Sequence, residues 1–229
     1  GNTAAYGGGM YLNSSNSVLT HVTISNNTSS NNTSGNQGGG MRLEYSNPTL
    51  THVTITGNTA NKGGGMLLSS SNPTLTHVTI ANNTASIYGG GMRLSSSNPI
   101  LTNSIIWNNS PQSISYIAPV TPLITYSDIE DWSVWDSWDG EGNIDTDPLF
   151  TDSENGDYTL QENSPCIDIG TADLDGDGID DITDYAGSAP DMGAYEFCAY
   201  FDECGVCGGN GPEENFDCDG NCTVDVDCN

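Results

Sequence analysis

Twelve residues in the C-terminal third of the sequence have the types and the spacing to hold a metal ion. Asp173-Leu174-Asp175-Gly176-Asp177-Gly178-Ile179-Asp180-Asp181-Ile182-Thr183-Asp184 puts carboxylates at loop positions 1, 3, 5, 9 and 12, glycine at position 6 and a backbone carbonyl at position 7. Calcium takes six to eight oxygen ligands, and no other common cation uses so many carboxylates from one short loop. The expected ligands are therefore Asp173, Asp175, Asp177, the carbonyl of Ile179, Asp181 and Asp184 for Ca2+. Aspartate replaces the longer glutamate at position 12, which weakens the case for bidentate ligation there. The competing reading, a solvated acidic loop, leaves the glycine at position 6 unexplained.

Charge divides the chain sharply. Residues 1–127 hold one acid, Glu44, against Arg42, Lys62 and Arg93, whereas residues 128–229 hold 29 acids and neither Lys nor Arg, which gives the net charge of −27. Self-repulsion on that scale opposes compaction unless cations neutralise it. It also excludes a nucleic-acid partner, whose phosphates need basic residues. No apolar run is long enough to span a membrane.

Six of the seven cysteines, Cys198, Cys204, Cys207, Cys218, Cys222 and Cys228, crowd into the last 32 residues. That stretch is too poor in apolar residues to build a core, so the cluster reads as a disulfide-stapled module and an oxidising, extracellular compartment. Cys204-x-x-Cys207 could instead open a zinc site, but the tail lacks histidine and a second C-x-x-C. Cys166 stands apart as a small buried residue.

Two other groups carry candidate chemistry. Trp132, Trp135 and Trp138 recur every third residue in Asp131-Trp132-Ser133-Val134-Trp135-Asp136-Ser137-Trp138. On one face of a helical turn they would plug the end of a core, and as a flat aromatic platform they would contact glycans. His21, His52 and His77 occupy one column of a repeat; three copies in register point to a ladder at a turn, since an active site needs one special position.

The elements that position these groups are repeats. The triplet Gly-Gly-Gly starts at Gly7, Gly38, Gly63 and Gly89, spaced 31, 25 and 26 residues apart, and each is followed by Met-x-Leu and then an L-T-H-V-T-I type segment. The columns Met10/41/66/92, Leu12/43/68/94, Leu19/50/75/101 and Ile24/55/80/106 are apolar throughout. Alternation within M-x-L and V-T-I is the period of a half-buried strand. Three short strands per repeat, stacked about 4.8 Å apart, make an all-β right-handed parallel β-helix, a solenoid. The column Asn27/58/83/109 then reads as residues tolerant of the left-handed turn, with each amide bonded to the Asn one rung away. The triple glycines read as tight turns that need positive φ or close backbone approach. No Lys-Ser/Thr follows them, which excludes a phosphate loop. The fourth repeat degrades at Asn103, Ser104 and Trp107, and apolar residues at Leu123, Ile124, Tyr126 and Ile129 predict one further, irregular coil. The expected organisation is 1–130 β-helix repeats, 131–197 capping and calcium-binding module, and 198–229 Cys-rich tail.

Four motifs, Asp147-Pro148-Leu149-Phe150, Gly156-Asp157-Tyr158-Thr159-Leu160, Ser164-Pro165-Cys166-Ile167-Asp168 and Pro190-Asp191-Met192-Gly193-Ala194-Tyr195-Glu196, occur in that order. Together they resemble the C-terminal module of secreted bacterial right-handed β-helix proteins of the choice-of-anchor Q type. The resemblance covers about residues 1 to 197. It implies the fold, a secreted or cell-surface location and an anchoring tail, and it implies no reaction. The loop at Asp173 resembles the calcium loops of dockerins and thrombospondin type 3 repeats, and Asp202-Glu203-Cys204-Gly205-Val206-Cys207-Gly208-Gly209 is similar to short tandem repeats of secreted marine bacterial proteins.

Two functional classes follow. One is a non-catalytic extracellular structural or adhesive rod, calcium-stabilised, with glycans or copies of itself as partners. The other is a polysaccharide-binding or polysaccharide-degrading protein. Glycoside hydrolysis and lyase chemistry both need carboxylates or a base beside a charge-stabilising group, and Glu44 is the one carboxylate in the repeats. The first class is therefore expected. Asn13, Asn26 and Asn82 open N-x-S/T sequons that turn chemistry also explains. Because Gly1 to Met10 matches Gly57 to Met66 position for position, entering in the middle of a repeat, the first rung is expected to be covered either by further coils or by a neighbouring copy in a head-to-tail fibre.

Overall fold

Alternation in Met-x-Leu buries one face of each strand and leaves the other outside. Strands Met10–Asn13, Met41–Glu44, Met66–Ser69, Met92–Ser95 and Ile114–Ile117 stack in parallel as a five-stranded sheet, so the molecule has five coils. Their register pairs Met10 with Met41, Met41 with Met66, Met66 with Met92 and Met92 with Ile114. The computed structural model describes residues 1–30, 37–131 and 140–200, with 202, 204, 207 and 218. Within it Gly1–Glu196 form one unit and Phe197–Asn229 a second.

The second sheet of the solenoid is bent. Thr49–Thr56 and Thr74–Ala81 are continuous strands. In the first coil the same path breaks into Val18–Thr20 and Thr23–Ser25, and in the fourth into Ile100–Thr102 and Ile105–Trp107. The bend falls on a residue with positive φ in every coil: His21 (54°), His52 (51°), His77 (52°), Asn103 (51°) and Tyr126 (45°). The third sheet contains Thr3–Ala4, Thr28–Ser29, Thr59–Lys62 and Thr84–Tyr88.

The apolar columns meet inside. Met41, Met66 and Met92, Leu43, Leu68 and Leu94, Leu50, Leu75 and Leu101, and Ile55, Ile80 and Ile106 are all fully buried. Each such side chain contributes about 1.5–3 kcal/mol of transfer free energy. Polar ladders close the corners. Asn27 donates from its backbone N and Nδ2 to Asn58 Oδ1, Asn58 does the same to Asn83, and Asn83 to Asn109, all at 2.9 to 3.0 Å.

The left-handed turn belongs to a different column from the one expected. Positive φ falls on Asn26, Gly57, Asn82 and Asn108, each one residue before the ladder asparagine. The preceding residue turns the chain, and its neighbour then points inward to bond along the stack. The triple glycines divide their work similarly. The first of each, at Gly7, Gly38, Gly63 and Gly89, has φ between 54° and 65°. The second has no room for a side chain: a Cβ on Gly64 would lie 2.6 Å from the backbone oxygens of Gly90 and Thr84.

Further ladders run through the repeated Ser-Asn-Pro. Ser15 N donates to Ser46 Oγ, Ser46 N to Ser71 Oγ and Ser71 N to Ser97 Oγ, each at 3.0 Å. Outside them an exposed asparagine ladder runs in the opposite sense, from Asn47 N to Asn16 Oδ1, Asn72 N to Asn47 Oδ1 and Asn98 N to Asn72 Oδ1.

After the fifth coil the chain folds back along the solenoid. An antiparallel hairpin, Phe150–Asp152 with Asp157–Leu160, presents Tyr158 and Leu160 inward, both 5 % exposed. Among the described residues no helix is long and apolar enough to cross a membrane.

Candidate functional site

The glycine-punctuated loop at Asp173 turns its carboxylates inward because each caps the backbone N–H groups ahead of it. Asp173 accepts from Gly176 N at 2.7 Å and from Gly178 N at 2.8 Å, Asp175 from Asp177 N at 3.1 Å, and Asp177 from Ile179 N at 2.8 Å. Gly176 and Gly178 have φ of 79° and 86°, the conformation that lets the chain coil this tightly. As a result Asp173, Asp175 and Asp177 each offer an oxygen within 4.8 Å of the others, and this group could hold a metal ion. The Gly178 N–H, with that of Gly176 behind it, holds the Asp173 carboxyl below its ordinary range, so it is ready as an anionic ligand. Asp181 Oδ2 instead accepts from Leu174 N at 2.8 Å, and Asp184 lies outside the group of three while its charge acts on His52. The donor set, three carboxylates of which Asp175 and Asp177 are exposed and Asp173 half-buried, suits a hard oxygen-seeking cation.

The histidine column is a ladder, as expected, and also a docking seam, which the sequence did not show. His21, His52 and His77 stack with ring centroids 4.9 Å apart. The returning C-terminal segment lies over them. His52 Nδ1 is 3.3 Å from Ala194 O, and Ala194 N donates to Thr79 Oγ1 at 2.9 Å. Asn103, the fourth residue of the column, holds Thr171 through both amide atoms at 2.8 Å and accepts Gly193 N on its backbone oxygen at 2.9 Å. Its Nδ2 also sits 3.2 Å from His77 Nε2. Burial, with the charge of His52 adding to it, lowers His77 to about 4, so His77 is neutral at pH 7. Gly193 has φ of 99° and its backbone lies against Ile105 and Thr79, where a Cβ would meet Ile105 Cδ1 at 2.8 Å.

Under the seam lies a buried acidic junction. Asp128 is fully buried; its Oδ1 accepts from Thr146 N at 3.2 Å and its Oδ2 from the Cys166 thiol at 3.3 Å. Burial pushes the Asp128 carboxyl up to about 7, and the same cause raises the Cys166 thiol. Cys166 is buried and free, as expected, but hydrogen-bonded as well as packed. Glu196, raised to about 7 by burial with Asp191 and Asp168 adding to it, accepts from Asp191 N at 2.9 Å.

Of the tail cysteines, Cys198 is bonded to Cys207 and Cys204 to Cys218. Cys222 and Cys228 lie outside the described residues, as do Trp132, Trp135 and Trp138. Glu44, the repeats' one carboxylate, accepts from the Tyr11 hydroxyl and from Arg42 Nη2 at 3.1 Å, and these two bonds hold it below its ordinary range. Arg42 in turn lies over the rings of Tyr6 and Tyr11.

A cleft of about 470 Å³ opens where the returning chain stops short of the first coils. Its floor is the outer face of the bent sheet, Thr23 and Thr54 in one column and Ser25 and Thr56 in the next. The turn of the hairpin, Ser153 to Gly156, forms one wall, with Tyr158 and Tyr195 beside it. Asn82 ties wall to floor, donating to Ser153 O at 3.2 Å and to the Tyr158 hydroxyl at 3.0 Å. A smaller cleft of about 310 Å³, with Trp107 and Phe150, shares Asn82 and Ser153 with it.

Stacked parallel coils with in-register ladders define the parallel β-helix class. The family model for the right-handed β-helix region matches residues 2–133, and the chain belongs to that family. Searches of curated proteins and of solved structures each found no match.

Proposed function

We propose that this is a non-catalytic extracellular β-helix protein of structural or adhesive kind, braced by Ca2+ in the loop from Asp173 to Asp184. The observation that supports this most is the chemistry of the outer faces of the first four coils, which among the described residues are hydroxyl and amide ladders with a single carboxylate, Glu44, engaged by Tyr11 and Arg42. Such a face lacks the second carboxyl that glycoside hydrolysis needs. Asp128, the carboxyl raised to about 7, is fully buried and out of reach of a polymer. The paired tail cysteines are compatible with an oxidising exterior.

In this reading Asp173, Asp175 and Asp177 supply the first ligands, and Ile179, Asp181 and Asp184 complete the set by swinging inward when the ion arrives. The ion neutralises charge in a region that holds no Lys or Arg. Head-to-tail association belongs to the same proposal, because a strand edge of one copy matches the ladder of another. Polysaccharide binding without cleavage is the second reading, favoured by the cleft over the bent sheet.

The test combines metal analysis with an assay for cleavage. Dialysed protein should retain or take up calcium, melt at lower temperature in chelator, and release neither reducing ends nor unsaturated uronates from a polysaccharide panel. Release of either product from a purified sample would replace the non-catalytic reading with an enzymatic one.

A further inference from the structure

We propose that the cleft between the bent sheet and the hairpin turn binds a neutral carbohydrate, a stretch of uncharged polysaccharide running along the solenoid axis. The proposal rests on the non-catalytic reading above, takes adhesion to be binding of polysaccharide without cleavage, and names the class of polymer.

The lining sets the ligand class. Thr23, Ser25, Thr54, Thr56 and Asn26 line the floor, so the recess offers hydroxyl and amide groups. A hydroxyl both donates and accepts, and so matches a ligand made of hydroxyls. Among the described residues, Thr23, Ser25 and Asn26 make no side-chain hydrogen bond, whereas Thr54 Oγ1 donates to the Tyr195 hydroxyl at 3.3 Å. The floor therefore keeps three polar groups for a ligand, while Thr54 and Thr56, bonded to Tyr195 and Tyr158, hold the wall in place. Tyr195, 38 % exposed, gives a planar ring at the edge of the recess. Aromatic rings cover the apolar face of a sugar while their hydroxyls stay hydrogen-bonded.

Charge excludes the alternatives. The lining contains one charged residue, Glu154, and no cation. An acidic polymer such as a polyuronate would enter a region of strong negative charge without a base to meet it. A peptide would look for apolar side-chain pockets or a free strand edge, and the floor is the face of a sheet, with no aliphatic side chain in the lining.

Geometry sets the direction. Thr23 pairs with Thr54 and Ser25 with Thr56 across neighbouring rungs. The open hydroxyls of Thr23 and Ser25 thus lie one rung, about 4.8 Å, from the pair that holds Tyr195 and Tyr158, so a chain laid along the axis passes from the free hydroxyls to the two tyrosines. The volume of about 470 Å³ lies within the ordinary range of ligand pockets, about 300–1,000 Å³. The smaller cleft with Trp107 and Phe150, on the other side of the Asn82 and Ser153 contact, extends the same surface.

The experiment titrates the full chain, in calcium, with cellohexaose, xylohexaose and mannohexaose, and with hexagalacturonate as the anionic comparison. At least one neutral hexasaccharide should bind with a Kd of millimolar or tighter. Thr23→Trp, at an exposed floor position, should weaken that binding at least tenfold with the melting temperature unchanged. Glu154→Trp, on the opposite wall, should do the same and serves if the first variant does not fold. No neutral binding at 10 mM ligand, equal binding by both variants, or preference for hexagalacturonate overturns the proposal. Pull-down of the same proteins on insoluble cellulose, xylan and chitin separates the two claims. Retention of wild type and of both blocked variants alike sinks the cleft and keeps the adhesive reading. Oligosaccharide binding without retention on any solid sinks the adhesive reading and keeps the cleft.

Discussion

The coils up to residue 131 and the chain that folds back over them from residue 140 solve the same problem, burying backbone in a β-rich protein, by opposite means. In the coils every device is copied: the left-handed columns at the bend, the corner and the glycine triplets, the three hydrogen-bonded ladders and the four apolar columns, each repeated rung by rung. In the returning chain nothing is copied. It has one two-stranded hairpin, and its turns are closed by aspartates that accept backbone N–H groups two to five residues ahead, at Asp157, Asp173, Asp175 and Asp177. It then borrows order from the coils through Asn103, Thr79 and His52. The contrast teaches that a repetitive region carries its stability in side chains that any rung could supply, whereas the irregular region depends on a few specific contacts and on what neutralises its charge.

The sharpest way to break that contrast is to remove one rung of the inner ladder. Asn83 is fully buried and makes four ladder bonds, accepting Asn58 N and Nδ2 and donating to Ile55 O and Asn109 Oδ1. Asn83→Ala leaves several buried groups without partners and should cost about 3–5 kcal/mol. Asn47→Ala, in the exposed ladder where water can replace the amide, should cost less than about 1 kcal/mol. Urea unfolding of both variants checks the pair.

Next in size is the seam. Asn103→Ala removes both bonds to Thr171 and the contact to His77, at an expected cost of about 2–4 kcal/mol. The loss should fall on the returning chain, and hydrogen exchange should show 166–195 losing protection while the first three coils keep theirs. Uniform loss across both would mean that the two regions fold as one cooperative unit.

These two predictions differ in how far the sequence discloses them. The Met, Leu and Ile columns, the Asn27 ladder and the His stack are visible because in-register repetition turns a column of letters into a column of neighbours. The Ser-Asn-Pro repeat is equally regular, and its two ladders could have been read by the same rule. Which asparagine takes positive φ could not, since Asn26 and Asn27 are chemically identical and only the direction of the side chain tells them apart. The seam is invisible for a different reason: Asn103 and Thr171, or Thr79 and Ala194, are 68 and 115 residues apart with no period linking them. In the metal loop the local part, Asp173, Asp175 and Asp177, is legible because glycine spacing dictates the coil, while Asp181 takes a backbone partner that no spacing rule predicts.

A further effect appears with pH. Asp128 and Glu196 are raised to about 7 in the folded state, so their protonated forms are favoured by folding. Their contribution is fully present below the unfolded carboxyl range near pH 4 and is lost as pH rises toward 7. His77, lowered to about 4, works in the other direction: its contribution is present above the unfolded value near 6.5 and is lost as pH falls toward 4. Asp128→Asn should therefore gain about 1–3 kcal/mol at pH 8, with little gain at pH 4, and flatten the decline between. Melting curves across that range check the sign.

The remaining perturbation is to the candidate metal loop itself. Asp175→Asn should abolish calcium-dependent stabilisation, about 2–3 kcal/mol at a hundredfold excess of ion over Kd, and leave the calcium-free melting temperature within a degree or two.

Hydrogen exchange measured by mass spectrometry, with calcium and then with chelator, tests the central claim most directly. Ladder-held coils and a cation-braced returning chain require that chelation accelerates exchange across residues 166–195 while 41–129 exchange at the same rates in both conditions. Unchanged exchange in 166–195, or acceleration spread evenly through the coils, would contradict it.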